Sequence, residues 1–148
     1  MFKIKVDQVR ANRYLKQKQQ GFVLVMKQYV EQVAQQYFDE IKDTIQKQKG
    51  KWVPLTPEYQ AFKARYGLDP RILIATGGYE QSIVVEQVNS YSWKVYPKGN
   101  EKLAEWLEFG TSSMPSRPHW RLAQQVIEAK LQIILQNIIN QSLIKGII

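Results

Sequence analysis

The stretch LAEWLEFGTSSMPSRPHWRLA, residues 103–123, links the middle of this chain to its C-terminal part and decides how the two meet. It begins amphipathic, turns at Gly110 and enters a helix at His119, the only histidine of the protein. Gly110 can adopt a backbone angle that other residues resist, while Pro115 and Pro118 stiffen the loop and preset the helix entry. We therefore expect a rigid corner between two helices.

A long helix is predicted on the N-terminal side, from about Val9 to Lys49. Its apolar residues fall three and four apart and so lie on one stripe: Phe22, Met26, Val30, Val33, Tyr37, Ile41 and Ile45. Gly21 lowers helix stability by about 1 kcal/mol relative to alanine, which favours a bend or break there.

A second long helix is predicted after the corner, from about Pro118 to Ile144. Two adjoining apolar rows give it a wide stripe that must pack on the sheet, on the first helix or on another subunit. The first row is Ile127, Leu131, Ile134 and Ile138, and the second is Leu135, Ile139 and Leu143.

Shorter elements fill the rest of the chain. Alternating residues predict a strand over Phe2–Val6, and Thr56 is placed to cap a helix from Pro57 to Gly67. Two strand-like runs, Ser82–Gln87 and Ser90–Tyr96, predict a hairpin that turns at Val88-Asn89. Its two faces are equally mixed, so the core face stays open. The segment from Glu101 to Phe109 is predicted to begin as a short helix, and its end is left open between helix and extended chain. The whole is an α+β fold, a small and mostly antiparallel sheet flanked by two long terminal helices, in a single domain over 1–148.

Composition excludes several kinds of site. The 148 residues contain no cysteine, which rules out disulfides, zinc–thiolate centres and cysteine nucleophiles. Neither a signal peptide nor a membrane span is expected, because no apolar run is long enough.

The formal net charge is +8, and much of the excess lies near the start. This basic cluster could meet nucleic acid, a membrane surface, an acidic protein partner or only solvent: Lys3, Lys5, Arg10, Arg13, Lys16 and Lys18.

Motifs for catalysis, metals or cofactors are weak. His119 has no nucleophile motif near it and is interpreted as a packed or capping residue rather than a catalyst. Gly77-Gly78 lacks the lysine and spacing of a phosphate loop. Glu101, Glu105 and Glu108 can share one helix face, which is interpreted as solvated. We therefore expect no enzyme activity, no metal and no cofactor.

The corner nevertheless resembles a signature of tailed-phage neck and tail-completion proteins. That signature is E-F-G-T, here Glu108 to Thr111, followed by M-P-x-R-P, here Met114 to Pro118. ILIATGGYEQSIVV, residues 72–85, is similar to a second element of the family. WVPLTPEYQAFKARYG, residues 52–67, looks like a segment of the related Mu-like virion morphogenesis proteins. Tyr79 and the pair His119-Trp120 depart from the usual residues but keep bulky rings at those positions.

The resemblance implies a structural virion protein at the head–tail junction or tail end. Such a protein would be assembled in the host cytoplasm as a homo-oligomeric ring, in contact with other connector and tail proteins and with DNA in the channel.

The candidate interface is Glu108, Phe109, Gly110, Thr111, Met114, Pro115, Arg117 and Trp120. Arg117 can bond carbonyls or a neighbour's carboxylate in fork geometry, although these residues could equally form a local corner without a partner. The basic cluster would face the channel or an acidic neighbour, and reversing Lys3, Lys5, Arg10 and Arg13 tests that. The alternatives are a basic DNA-associated protein of a phage or mobile element, and a small hydrolase that uses His119.

Overall fold

The computed structural model describes residues 8–148. In this part of the chain, three helices precede one antiparallel hairpin and three helices follow it. The elements are α1 (Gln8–Gln46), α2 (Pro57–Arg65), α3 (Gly78–Ser82), β1 (Ile83–Asn89), β2 (Ser92–Pro97), α4 (Glu101–Phe109), α5 (Trp120–Glu128) and α6 (Leu131–Ile144). The predicted α+β class and the antiparallel sheet are confirmed. The predicted strand over Phe2–Val6 lies outside the described residues.

Helix α1 runs through Gly21 without a break, so of the predicted bend or break the break is wrong. Gly21 is buried, and a Cβ at this position would collide with the Ile147 carbonyl and the Ile148 side chain. Gly21 therefore allows the end of the chain to approach α1 closely. In return, α1 contains a residue of low helix propensity.

The buried stripe of α1 begins on different residues from those predicted. Val25 is 2% exposed, whereas Phe22 and Met26 are 58% and 46% exposed. Ile41 and Ile45 are fully buried, as predicted. The inward face thus passes through Gly21 and Val25, because only glycine permits the C-terminal backbone to lie against the helix. The first two residues of the predicted stripe, Phe22 and Met26, face outward, whereas Val33 packs against the cluster of Val25, Ile134 and Ile138.

The predicted C-terminal helix is two helices, α5 and α6, which meet at Ala129-Lys130. The Lys130 N–H donates to the carbonyl of Ile127, three residues back, at 2.9 Å, which closes α5 in a tightened last turn. Neither proline nor glycine marks the break. Ile127 and Ile134 are buried on either side of it, so both helices pack their apolar residues inward.

Two apolar clusters hold the helices together. In one, Ile41 and Ile45 of α1 pack with Ala123 of α5 and Ile83 of β1. In the other, Val25 of α1 packs with α6 through two isoleucines, Ile134 and Ile138. The chain after the corner therefore returns along α1 in the opposite direction, from Ile45 towards Gly21.

The hairpin turns two residues later than predicted, at Ser90-Tyr91 rather than Val88-Asn89. The Tyr91 N–H donates to the Asn89 side chain at 2.9 Å, a turn that asparagine favours, and a bulge lies at Val88. The core face, which sequence left open, contains Ile83, which is 1% exposed. The pair Val85–Val95 lies on that same face.

Helix α2 begins as predicted, with the Tyr59 N–H donating to the Thr56 hydroxyl at 3.3 Å. It ends at Arg65, two residues before the predicted end, and Gly67 lies in the following turn with φ +63°. The helix predicted to begin at Glu101 is α4, and it continues to Phe109, so the end of this segment is helical rather than extended.

Candidate assembly interface

Glu108, the last acidic residue of α4, caps the N-terminus of α5. Its carboxylate accepts from the backbone N–H groups of His119 at 2.9 Å, Trp120 at 3.1 Å and Arg121 at 3.1 Å. The residue is 6% exposed, so the expectation of a solvated acidic face fails at this position. A negative charge is favourable there because the first N–H groups of a helix lack intrahelical partners.

His119 is fully buried at the centre of a ring network. Its Nδ1 lies 2.8 Å from the Arg117 carbonyl, which can only accept, so Nδ1 carries the proton. Nε2 then accepts from the Tyr79 hydroxyl at 2.6 Å. That hydroxyl in turn accepts from the indole N–H of Trp120 at 3.0 Å. The interpretation of His119 as a packed residue is confirmed, and the capping side chain is that of Glu108.

Burial tunes the ionisation of this network. Removal from water lowers the pKa of His119, although the nearby Glu108 charge and the Arg117 carbonyl act in the opposite direction. Burial also raises the pKa of Tyr79 and that of Tyr37, the latter to about 12. All three groups are therefore held neutral near pH 7.

The loop between α4 and α5 folds back tightly on α4. Gly110 has φ +80°, and a Cβ there would meet the Met114 carbonyl oxygen and the Ser116 nitrogen at 2.9 Å. The Arg117 N–H donates to the Leu107 carbonyl at 2.6 Å. The prediction that Gly110 supplies an unusual backbone angle is confirmed.

Trp52 is a member of this corner that sequence reasoning did not single out. Its ring is 9% exposed, and its indole N–H donates to the Pro118 carbonyl at 2.8 Å. A Cβ on Gly50 would overlap the Trp52 ring. No local sequence pattern marks this contact, because the partners of Trp52 lie across the chain at Pro118.

The candidate interface residues divide into three groups by exposure. Phe109, Thr111 and Pro115 are exposed, with Phe109 at 70%. Gly110, Met114 and Trp120 are half-buried. Glu108 and Arg117 are buried and belong to the scaffold under the surface. The surface that a partner could touch is thus formed by the first group and the edge of the second.

A cavity of about 530 Å³ lies between α2, the segment before α3 and the corner loop. Lys63 of α2 is 3% exposed there, and its ammonium donates to the carbonyls of Asp69 at 2.8 Å, Arg71 at 2.7 Å and Ile74. Arg117 reaches the same cavity from the corner loop. The cavity therefore brings together two buried cationic side chains from separate parts of the chain.

A second cavity of about 500 Å³ lies on the other side of α4. Glu101, Glu105 and Glu108 line it, together with the exposed ring of Phe109 and one basic residue, Arg121. The guanidinium of Arg121 lies 5.9 Å from the centre of the Phe109 ring. Helix α4 thus separates a cationic cavity from a predominantly acidic groove.

The N-terminal part of α1 extends beyond the point at which the end of the chain reaches Gly21. None of the residues 11–20 is buried. Leu15 is 63% and Tyr14 is 59% exposed, and both lie among basic side chains. Of the predicted basic cluster, Arg10, Arg13 and Lys16 are exposed, Lys18 is half-exposed with its ammonium 5.4 Å from the Tyr14 ring centre, and Lys3 and Lys5 lie outside the described residues.

Residues 8–148 contain no group of three histidine, aspartate or glutamate side chains placed to hold a metal ion. In the same part of the chain, no helix is both long and apolar enough to cross a membrane. Neither family models, nor curated proteins, nor solved structures gave a match to this chain.

Proposed function

We propose that this protein is a structural virion component of a tailed phage or prophage, placed at the head–tail junction or tail end. In this proposal it assembles as a ring and joins the head connector to the tail. The observation that carries the assembly is the uncovered N-terminal part of α1, where large apolar and basic side chains share a projecting helix. The resemblance of the α4–α5 corner to neck and tail-completion proteins supports the placement in a virion.

The exposed apolar side chains of the projecting helix are unfavourable in water if the chain stays isolated. Phe22 and Met26 are 58% and 46% exposed and lie one turn apart on one face of α1, and Leu15, 63% exposed, lies two turns before Phe22 on the same face. Contiguous apolar patches of this kind mark protein–protein contacts in soluble proteins. The thirteen residues from Gln8 to Gln20 extend α1 by about 20 Å beyond Gly21, enough to reach a neighbouring subunit.

A ring also needs a second, different patch on each subunit, because head-to-tail interfaces are heterologous. The exposed part of the corner supplies a candidate in Phe109, Thr111 and Pro115. It lies beside the acidic groove, whereas the projecting part of α1 is basic. Opposite charge on two patches favours contact between different faces and disfavours contact between like faces.

Imaging of the concentrated protein by negative-stain electron microscopy tests the proposal. We expect closed rings with rotational symmetry. Reversing the charge of Arg13 and Lys16 should reduce the ring population, while reversing Lys94 and Lys130, exposed lysines elsewhere, should not. Rings that form equally well in both variants would exclude this part of α1 from the interface, and a field of single particles would contradict the proposal.

A second candidate, a basic DNA-associated protein of a phage or mobile element, is favoured by the exposure of Arg13 and Lys16 on a projecting helix. Contacts to phosphates need only such cations and weaken steeply with salt. Salt-dependent binding of duplex DNA to a monomeric protein, lost on reversing these two charges, would favour this candidate over the ring.

A further inference from the structure

Arg117 is a buried cation without a counter-charge in the described structure. It is 8% exposed, and its Nε is buried without a hydrogen-bond partner. Within residues 8–148 its guanidinium makes neither a hydrogen bond nor an ion pair. Buried charges are normally paired because removing them from water costs several kcal/mol. Arg117 therefore has binding capacity that its own chain does not use.

Lys63 adds positive charge to the same cavity but no free donors. Its three ammonium protons go to the carbonyls of Asp69, Arg71 and Ile74. Burial lowers the pKa of Lys63, the Asp69 charge opposes that effect, and the positive charge of Arg117 adds to it. The carboxylate of Asp69 is itself held by Arg71, at 2.6 Å. Direct bonds to a ligand must therefore come chiefly from Arg117.

The cavity walls define the rest of the ligand. None of the described residues that line the cavity is an aspartate or a glutamate. Much of the lining is apolar: Leu55, Leu73, Leu103, Leu107, Met114 and Pro115. Hydroxyl groups of Thr56, Tyr59, Thr76 and Ser113 are also present. A ligand that fits has one anionic end and an apolar body.

We propose that this cavity is a binding site for a carboxylate group attached to an apolar body, with the guanidinium of Arg117 as its principal ligand. The two terminal amino groups of the Arg117 guanidinium match one planar carboxylate in two parallel hydrogen bonds, while the buried Nε lies behind them. A phosphate dianion has no apolar body to fill the leucine-, methionine- and proline-lined part of the cavity. The carboxylate is supplied either by a free small molecule or by a side chain of a second copy. The site stands whether or not the protein belongs to a virion.

Sodium phenylacetate is a suitable probe, with the neutral phenylacetamide as its matched control. Because the Nε of Arg117 is buried, we expect its N–H to give an NMR signal that is protected from exchange with water. We expect that signal to shift on titration with phenylacetate and to stay in place with phenylacetamide or inorganic phosphate. Arg71, whose fork Asp69 already occupies, and Arg121, which is 57% exposed at its side chain, serve as internal controls.

Arg117→Lys keeps the charge and removes the fork, so we expect phenylacetate to bind it about tenfold more weakly. Arg121→Lys should bind like the unmodified protein. If Arg117→Lys does not fold, the NMR titration of the unmodified protein decides alone. Equal shifts with phenylacetate and phenylacetamide, or shifts confined to Arg71 and Arg121, would overturn the proposal.

Light scattering during the titration distinguishes the two sources of the carboxylate. If a second copy supplies it, phenylacetate should lower the molar mass while the Arg117 signal shifts. If a free molecule supplies it, the signal should shift at constant molar mass. Either result supports the site, and each is independent of whether rings form through α1.

Discussion

At the scale of single residues, Glu108 fixes the start of α5 from eleven positions upstream. Its three bonds to backbone N–H groups join α4 and α5 across the corner loop, where the family resemblance is concentrated. The Glu108 side chain is buried, so water does not readily replace the carboxylate as an acceptor for these N–H groups when it is removed. The corner therefore depends on one side chain more than on its prolines.

Glu108→Ala should lower the free energy of unfolding by about 3 kcal/mol, because three N–H groups lose a charged acceptor. Glu105→Ala, on the exposed side of the same helix, should change it by less than about 0.5 kcal/mol. Urea denaturation of both variants checks this. Equal effects of the two substitutions would show that Glu108 does not hold the corner.

His119 should make stability depend on pH in a defined direction. Its pKa is lowered in the folded state by burial, so the unfolded chain binds the proton more readily. The contribution of neutral His119 to the free energy of unfolding should therefore be complete above about pH 6.5. It should decrease as the pH falls from there towards the pKa of the folded state. The slope should approach at most about 1.4 kcal/mol per pH unit.

Because His119 is the only histidine, a single variant isolates this effect. His119→Gln should show a flatter dependence between pH 7.5 and pH 5.5 in denaturant titrations, whatever its absolute stability. Parallel curves for the two proteins would mean that His119 titrates alike in the folded and unfolded states.

Several residue roles could be predicted from sequence and others could not. Thr56 and Gly110 have local roles, a side-chain cap on the helix that follows and a left-handed backbone angle, and both predictions are confirmed. The burial of Glu108 could not be predicted, because its partners lie across a loop whose path is decided by tertiary contacts. The same holds for Lys63, which looks like a solvated helix residue until the carbonyls of the following loop surround it.

At the scale of elements, the contact between α1 and the end of the chain explains two differences from the sequence prediction. Gly21 was expected to bend or break α1, but α1 continues through it and the glycine admits Ile147 and Ile148 to the helix surface. This contact turns Val25 inward and leaves Phe22 outside. Periodicity alone could not select between these stripes, because apolar residues stand on both faces of α1 in this region.

Gly21→Ala should therefore destabilise the full chain, although alanine is the better helix former by about 1 kcal/mol. In a protein that lacks residues 147 and 148, the same substitution should stabilise by up to about that amount. Thermal unfolding of the four proteins provides the double cycle. Stabilisation in both backgrounds would show that the end of the chain does not rest on Gly21.

The break between α5 and α6 belongs to the same scale. Its sequence, with Ala129 and Lys130 at the junction, favours a continuous helix on propensity. The tightened turn at Ile127 has no local signal, so packing along α1 must decide it. Element type and order were predictable from pattern, whereas this boundary required the tertiary contacts.

At the scale of the whole molecule, the fold separates a packed body from a projecting helix. Two apolar clusters hold the body together. The cavity on one side of α4 is cationic, and the groove on the other side is predominantly acidic. The projecting part of α1 carries apolar side chains that no described element covers. The contacts between copies that we propose would cover these side chains.

Light scattering across protein concentration tests this central claim most directly, with the unmodified protein beside a Leu15→Ser, Phe22→Ser double variant. Tyr66→Ser, which removes a 61% exposed ring from the body, is the matched control. We predict a discrete oligomer for the unmodified protein and for Tyr66→Ser, and a folded monomer for the double variant. An unmodified protein that stays monomeric at the highest concentration, or a double variant that assembles unchanged, would contradict the account.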